Sequence, residues 1–368
     1  MLRLKARRLE AVCGFCIMQV KATAALTGKE GDYMGDFSFC ESYKKYFDIG
    51  AAVNPWSIKK YGDLLKKHFN SVTCENEMKY IITHPEEDKY DFSKADEIVS
   101  FAKANGMKVR GHAPVWHSQT PNWIFKDGDH LASRELVYER LEQHIKAMAE
   151  HFGDDVYCWD AVNEACIDTL PEFQIKFMGN ETYRTSRYLT ACGFEYVAKA
   201  YELWGKYAPN AKLFFNDYNE CDPLKRERIV NLIKDVQRAG APIYGMGMQS
   251  HYSIHFPEMD EVKRSIETYA GLGLHLHITE MDISFYMDPF RDPEIVPTEE
   301  QIEKQASIYE KLFEMYRSYS DVIDSVTLWG VTDATSWISR PDRKNWPLPF
   351  DVDGNPKPFL EKICKAAE

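Results

Sequence analysis

Two short runs organise the hydrophobic pattern of this chain. In Cys158-Trp159-Asp160-Ala161-Val162-Asn163-Glu164-Ala165 a largely apolar segment ends in an amide and a carboxylate, and His275-Leu276-His277-Ile278-Thr279-Glu280-Met281-Asp282 repeats that form. Strands that are apolar on both faces and deliver polar groups at their carboxyl ends are how parallel barrels place functional side chains. The full set of such runs predicts eight strands, at Ile49–Val53, Ser71–Cys74, Lys108–His112, Val156–Val162, Lys212–Asn216, Tyr244–Gln249, His275–Thr279 and Ser325–Trp329. Between them, apolar positions at helical spacing predict helices over Lys94–Asn105, Ser133–Phe152, Arg187–Tyr207, Asp222–Ala239 and Glu299–Ser318, with Gly106 and Gly240 as stops. Strand and helix alternating eight times, with right-handed crossovers, predict an α/β fold, a single (β/α)8 TIM barrel. Residues 41–368 would form it, preceded by a short N-terminal extension over residues 1–40.

That extension reads differently from the rest. Arg3, Lys5, Arg7 and Arg8 precede an apolar run from Ala11 to Val20 and the small residues Ala22-Thr23-Ala24, a pattern compatible with a secretory signal, although Glu10 and Gln19 interrupt it. No internal repeat, low-complexity segment or Ser/Gly linker points to a second domain. The charge balance of 45 basic against 57 acidic residues gives −12, which disfavours nucleic acid or an anionic membrane surface as partner and leaves a neutral polysaccharide allowed. No apolar run is long enough to span a bilayer. The nine cysteines are odd in number and scattered, unlike a disulfide framework, so reduced thiols are expected. Cys13-Gly14-Phe15-Cys16 matches a redox pair in spacing alone, without a strand and helix around it. Free thiols and the interrupted signal lean toward a cytoplasmic protein, with secretion as the alternative.

Chemistry collects just after the strands. Glu75-Asn76-Glu77-Met78-Lys79 follows the second, Gly111 to Gln119 the third, Asn216-Asp217-Tyr218-Asn219 the fifth, Gln249-Ser250-His251-Tyr252 the sixth, and Trp329 to Asp333 the eighth, with Trp337 beyond. Two glutamates at the ends of two barrel strands suit glycoside hydrolysis, since cleaving an acetal needs one carboxyl to protonate the leaving oxygen and another to meet the oxocarbenium-like centre. In order and together, these segments resemble family 10 of the glycoside hydrolases, the endo-β-1,4-xylanases, over roughly Glu41 to the C-terminus. The resemblance implies xylan or xylo-oligosaccharide as substrate, no cofactor and no obligatory protein partner. It also implies a retaining double displacement with Glu164 as acid/base and Glu280 as nucleophile, their carboxyls about 5 to 5.5 Å apart.

By the same resemblance Glu75, Asn76 and Lys79 would bind glycone hydroxyls, and His112, Asn163 and Gln249 would surround the reacting sugar. His251 and Asp282 would support Glu280, while Trp116, Trp329 and Trp337 would wall the cleft and Tyr218 would serve the leaving-group side. His117 and Asp160 would lie one layer behind. The His275-Leu276-His277 spacing could suggest a metal ligand pair, but strand parity counted back from Glu280 directs both imidazoles to the outer helices, so no metal site is expected. Departures from the family pattern at Ala113-Pro114 and Pro349 bear on loop shape. Two rival readings stand beside this one: a barrel glycosidase acting on glucan or mannan, and a non-catalytic carbohydrate-binding barrel.

Overall fold

The computed structural model describes residues 37–168 and 182–368. The expectations placed on residues 1–36, including the Cys13/Cys16 spacing and the possible signal, lie outside the described residues. Eight parallel strands form the centre: β1 Asp48–Val53, β2 Ser71–Cys74, β3 Lys108–Gly111, β4 Cys158–Asn163, β5 Lys212–Asp217, β6 Gly245–Met248, β7 His275–Ser284 and β8 Ile323–Leu328. Each pairs with the next, and β8 pairs back onto β1, Asp48 against Ser325, so the sheet closes into the expected (β/α)8 barrel. A short strand not anticipated from the sequence, His251–Ser253, adds to β7 beyond the barrel rim at Asp282–Ser284.

Helices fill the outside where the sequence pattern puts them. In Arg134–Phe152 the buried Val137, Leu141, Ile145, Met148 and Phe152 recur at three- and four-residue spacing, and Ser133 caps the start by accepting from Leu136 N–H. Asp222 caps Pro223–Arg238, and Thr298 with Gln301 makes a capping box for Glu299–Ser318. The expected single helix over Arg187–Tyr207 is two, Arg187–Cys192 and Tyr196–Tyr207, because Gly193 takes a left-handed φ of 73° and closes the first. The body begins before residue 41: Phe39 is fully buried against Phe313, and the Tyr43 hydroxyl donates to the Ile363 carbonyl across the C-terminal helix Pro358–Lys365.

The two sides of the barrel wall differ in chemistry. Apolar residues such as Leu213, Phe215, Met246, Met248, Leu276 and Ile278 belong to the hydrophobic core, while the interior holds a buried polar column. Arg110 forks onto Asp160, Asp160 accepts from His112 Nδ1 (2.8 Å), and Arg110 Nε donates to His277 Nδ1 (3.2 Å). His277, stacked at 4.0 Å on Phe214, therefore lies inside the barrel and does not face the outer helices, which corrects the parity expectation. The reason is a register shift: Ile278 opposes Val326 but Met281 opposes Leu328, so β7 carries one extra residue across Thr279-Glu280. His275 sits at the other end of β7, on Asp324 and Tyr244. A like shift separates Asp160 and Val162 in β4. Bulges re-aim the side chains that follow them. Both glutamate-bearing strands have one.

The seven described cysteines are free and buried. Among the described residues, no helix is long and apolar enough to cross a membrane.

At Gly111 the wall has no room for a side chain, since a Cβ would fall into the Trp159 ring, itself stacked on Trp204 at 4.7 Å. Gly111→Ala is expected to cost about 3 kcal/mol, read as a lower urea midpoint with unchanged slope. An unchanged midpoint would mean that the Trp159–Trp204 stack yields freely.

Candidate active site

The mouth formed by the carboxyl ends of the strands opens into a cleft of about 1150 Å³. Glu164, just past β4, and Glu280, within β7, both line it. Glu164 adopts a left-handed φ of 54°, a conformation that costs a non-glycine residue about 1–3 kcal/mol and persists only where the surroundings over-determine it. Its N–H donates to the Asn216 carbonyl (2.8 Å), and its carboxylate accepts from Trp116 Nε1 (2.7 Å) and Gln249 Nε2 (3.0 Å). Burial, then the neighbouring charges of Asp217 and Glu280, nevertheless raise its pKa above the ordinary carboxylate value.

Glu280 is surrounded by donors. Burial alone would raise its pKa, but the His251 hydrogen bond and the Asn216 amide help hold it at about 2. His251 Nε2 lies 3.3 Å from Glu280 Oε2, and its Nδ1 lies 3.0 Å from Asp282 Oδ2. Against burial, those two carboxylates lift the imidazole to about 10, so it is a cation at neutral pH. Trp337 Nε1 also donates to Asp282 Oδ2 (2.9 Å). On the other flank Thr279 donates to Asn216 Oδ1 (2.6 Å), which turns the Asn216 NH2 toward Glu280 Oε1 (2.7 Å). The same NH2 lies 2.8 Å from the Asn163 amide oxygen.

The remaining expected residues gather around this pair. Lys79, buried and with its pKa lowered by desolvation, donates to Asn76 Oδ1 (3.0 Å) and sits 4.7 Å above the Trp116 ring, while Glu75 accepts from Asn54 (3.1 Å). Trp329 presents its ring edge-on to His112 at 5.2 Å. Trp337 is 42% exposed, with His251 and Phe290 as ring neighbours at 5.0 and 5.3 Å, and both it and Tyr218 line the cleft. Two expectations fall one layer back. Asp160 is wholly buried under His112, and His117, whose pKa burial pushes down to about 4, has its Nδ1 3.8 Å from Glu164 Oε2, beyond hydrogen-bond reach. Among the described residues, no group of three or more His, Cys, Asp or Glu is arranged to hold a metal ion.

Comparison with known proteins agrees with this geometry. The family model for glycosyl hydrolase family 10 matches residues 38–366. The chain belongs to that family. It is 43% identical to endo-1,4-beta-xylanase B of Paenibacillus barcinonensis, covering 89% of this chain and 97% of the relative, and 42% identical over equal shares to endo-1,4-beta-xylanase of Geobacillus stearothermophilus. Among solved structures, the Caldicellulosiruptor owensensis endo-1,4-beta-xylanase superposes with a TM-score of 0.83 at 43% identity, covering 89% of this chain and 99% of that one.

Within this family 10 site, several contributors escaped the sequence reading. Asn216 stood in a strand-end motif but was not singled out as a partner of Glu280. Glu220, fully buried, accepts from the N–H of Ser250 (3.2 Å), whose left-handed φ of 57° separates Gln249 from His251. Arg184, Asp168 and Lys225 lie off the strands, where no pattern marked them. The loop after β7 supplies Tyr286, Met287 and Phe290 to the cleft wall.

The histidine bridge has a definite pH signature. Glu280 is depressed, so the stability drawn from its donors is complete above its ordinary 4.5 and lost as pH falls through about 2. His251 is raised, so its share is complete below 6.5 and lost as pH rises through about 10. His251→Ala should raise the Glu280 pKa and move the acid limb of kcat/KM to higher pH. The Glu280 carboxyl carbon shift in NMR titration checks this directly, and an unmoved titration would refute the bridge.

Proposed function

We propose that this chain is a retaining endo-1,4-β-xylanase acting on xylan or xylo-oligosaccharides, with Glu280 as nucleophile and Glu164 as acid/base. The observation that carries the reading is the opposite environment of the two carboxyls: Glu280 anionic under a cationic His251, Glu164 raised by burial and by its acidic neighbours. A glycosidic bond needs that division. The Glu280 oxygen attacks the anomeric carbon, the bond to the leaving sugar breaks, and its electron pair takes the Glu164 proton. Water then attacks the same carbon, Glu164 accepts its proton, and the bond to Glu280 breaks, so two inversions give net retention.

The surroundings fit a neutral sugar chain. Asn163 is the group we assign to the 2-hydroxyl of the reacting sugar, with His112 and Gln249 beside it in the cleft wall. Glu75, Asn76 and Lys79 extend hydroxyl recognition along the glycone side, and Tyr218 stands on the leaving-group side. Trp329 and Trp337 bring indole faces to the reacting sugar, where pyranose C–H groups pack. Xylose lacks the hydroxymethyl carbon of a hexose, so indoles closing on that position would disfavour glucan and mannan, by the roughly 1–3 kcal/mol that one extra carbon in a pocket is worth. The printed names of the relatives support the same substrate.

Release of reducing ends from unsubstituted xylan beside carboxymethyl cellulose and mannan tests the substrate assignment. Xylan should be degraded to short oligosaccharides with little product from the other two. Turnover of glucan or mannan in preference to xylan would transfer the site to a hexose polymer, and silence on all three would favour a binding barrel. In the same assay Glu280→Ala should abolish release, by about 10⁴-fold or more. Ordinary turnover in that variant would remove Glu280 as nucleophile.

A further inference from the structure

Beneath Glu164 lies a charged cluster that the two-carboxylate scheme does not use. Lys225, in the first turn of Pro223–Arg238, has a wholly buried side chain. Its Nζ is 2.9 Å from Asp217 Oδ1 and donates to Asp168 Oδ1 (3.0 Å) and to the Cys166 carbonyl (3.1 Å). Asp217, the last residue of β5, accepts the Cys166 N–H on its other oxygen (3.2 Å). Arg184 grips Asp168 through both terminal nitrogens, at 3.0 and 3.2 Å, and donates through Nε to the main-chain carbonyl of Glu164 itself (2.8 Å). The Arg184 N–H takes the Ala165 carbonyl (2.7 Å). Both main-chain polar groups of Glu164 and of Cys166, and the carbonyl of Ala165 between them, are thus held, most of them by this cluster.

The cluster sets two cations against two carboxylates, which lets its charges be buried as pairs, while Asp217, its member nearest the chemistry, still adds to burial in raising the pKa of the Glu164 carboxyl. Its shape suits Arg184 to a task that lysine cannot copy. The planar guanidinium splits its donors, with Nε to the Glu164 carbonyl and the terminal nitrogens to Asp168. Tyr218 joins the cluster to the cleft, since its hydroxyl accepts from Arg184 (2.8 Å) and donates to Asp168 (2.6 Å).

We propose that Arg184, braced by Asp168, Lys225 and Asp217, is a positioning residue for acid/base catalysis: it fixes the left-handed turn that aims the Glu164 carboxyl at the leaving oxygen. The inference rests on the acid role given to Glu164 above. Misplacing a proton donor harms most the substrates whose leaving group cannot depart unprotonated.

The test is kcat/KM over a series of aryl β-xylobiosides whose phenols span pKa values of about 4 to about 10, for the wild type, Glu164→Ala, Arg184→Gln and Arg184→Lys. The slope compares substrates on one preparation, so it does not depend on the fraction folded. Arg184→Gln should lose about tenfold or more additional rate on the least acidic phenol relative to the most acidic. Arg184→Lys, which keeps the cation but not the fork, should steepen the slope in the same direction by less, and it carries the test if the Gln variant does not fold. A uniform loss across the series in Arg184→Lys, or in both variants where both fold, overturns the proposal. A flat profile in Glu164→Ala would instead overturn the acid role itself, which separates the two failures.

Discussion

Two carboxyl groups facing one desolvated cleft cannot both carry charge without a large electrostatic cost, and the His251 bridge decides which of them does. With Asp282 behind it and Glu280 before it, the imidazole is a cation at neutral pH, and the negative charge settles on Glu280. Glu164 receives hydrogen bonds from Trp116 and Gln249, but among the described residues no cation lies within ion-pair distance of its carboxylate oxygens, the His117 imidazole at 3.8 Å being neutral, and burial dominates. The rest of the site serves that asymmetry. Trp337 fixes Asp282, Thr279 turns the Asn216 amide, and Asn216 reaches both Glu280 and Asn163.

The barrel makes the asymmetry reachable by breaking its own regularity at chosen points. A strict strand alternates its side chains, so Thr279 and Glu280 should face opposite sides of the wall. The extra residue in β7 lets both serve the mouth; in β4 the shift falls earlier, between Asp160 and Val162, and it is the left-handed Glu164 that departs from the alternation after Asn163. Left-handed residues at Glu164, Asn219 and Ser250 turn the chain sharply just beyond β4, β5 and β6. Below the mouth, Arg110, Asp160 and His112 form a fully buried polar column whose charges are paired, an arrangement that costs heavily if one partner is removed.

Much of this was legible in the sequence, and the parts that were not share a cause. All eight strands could be placed because apolar runs ending in polar residues are a local signal, as at Val162-Asn163-Glu164. The helix over Arg187–Tyr207 was misjudged because its apolar spacing runs on through Gly193, whose backbone angle no spacing encodes. His277 was assigned to the wrong side because a parity count assumes no bulge, and a bulge leaves no mark in residue types. The two glutamates are marked by their place at strand ends, whereas His251 and Asp282 are marked by the family resemblance of the motifs that carry them. Arg184 and Lys225 were not marked, since they lie off the strands and the residues they join, Glu164 and Asp168 in one stretch and Asp217 in another, meet only in the fold.

The division of charge between Glu164 and Glu280 carries a stereochemical consequence. Proton NMR of the products formed from unsubstituted xylan in the first minutes, before mutarotation, reads it directly. The account predicts that the newly formed reducing ends appear first as the β-anomer and only later equilibrate. Initial α-anomers would contradict it, since they would mean a single displacement by water and no covalent role for Glu280.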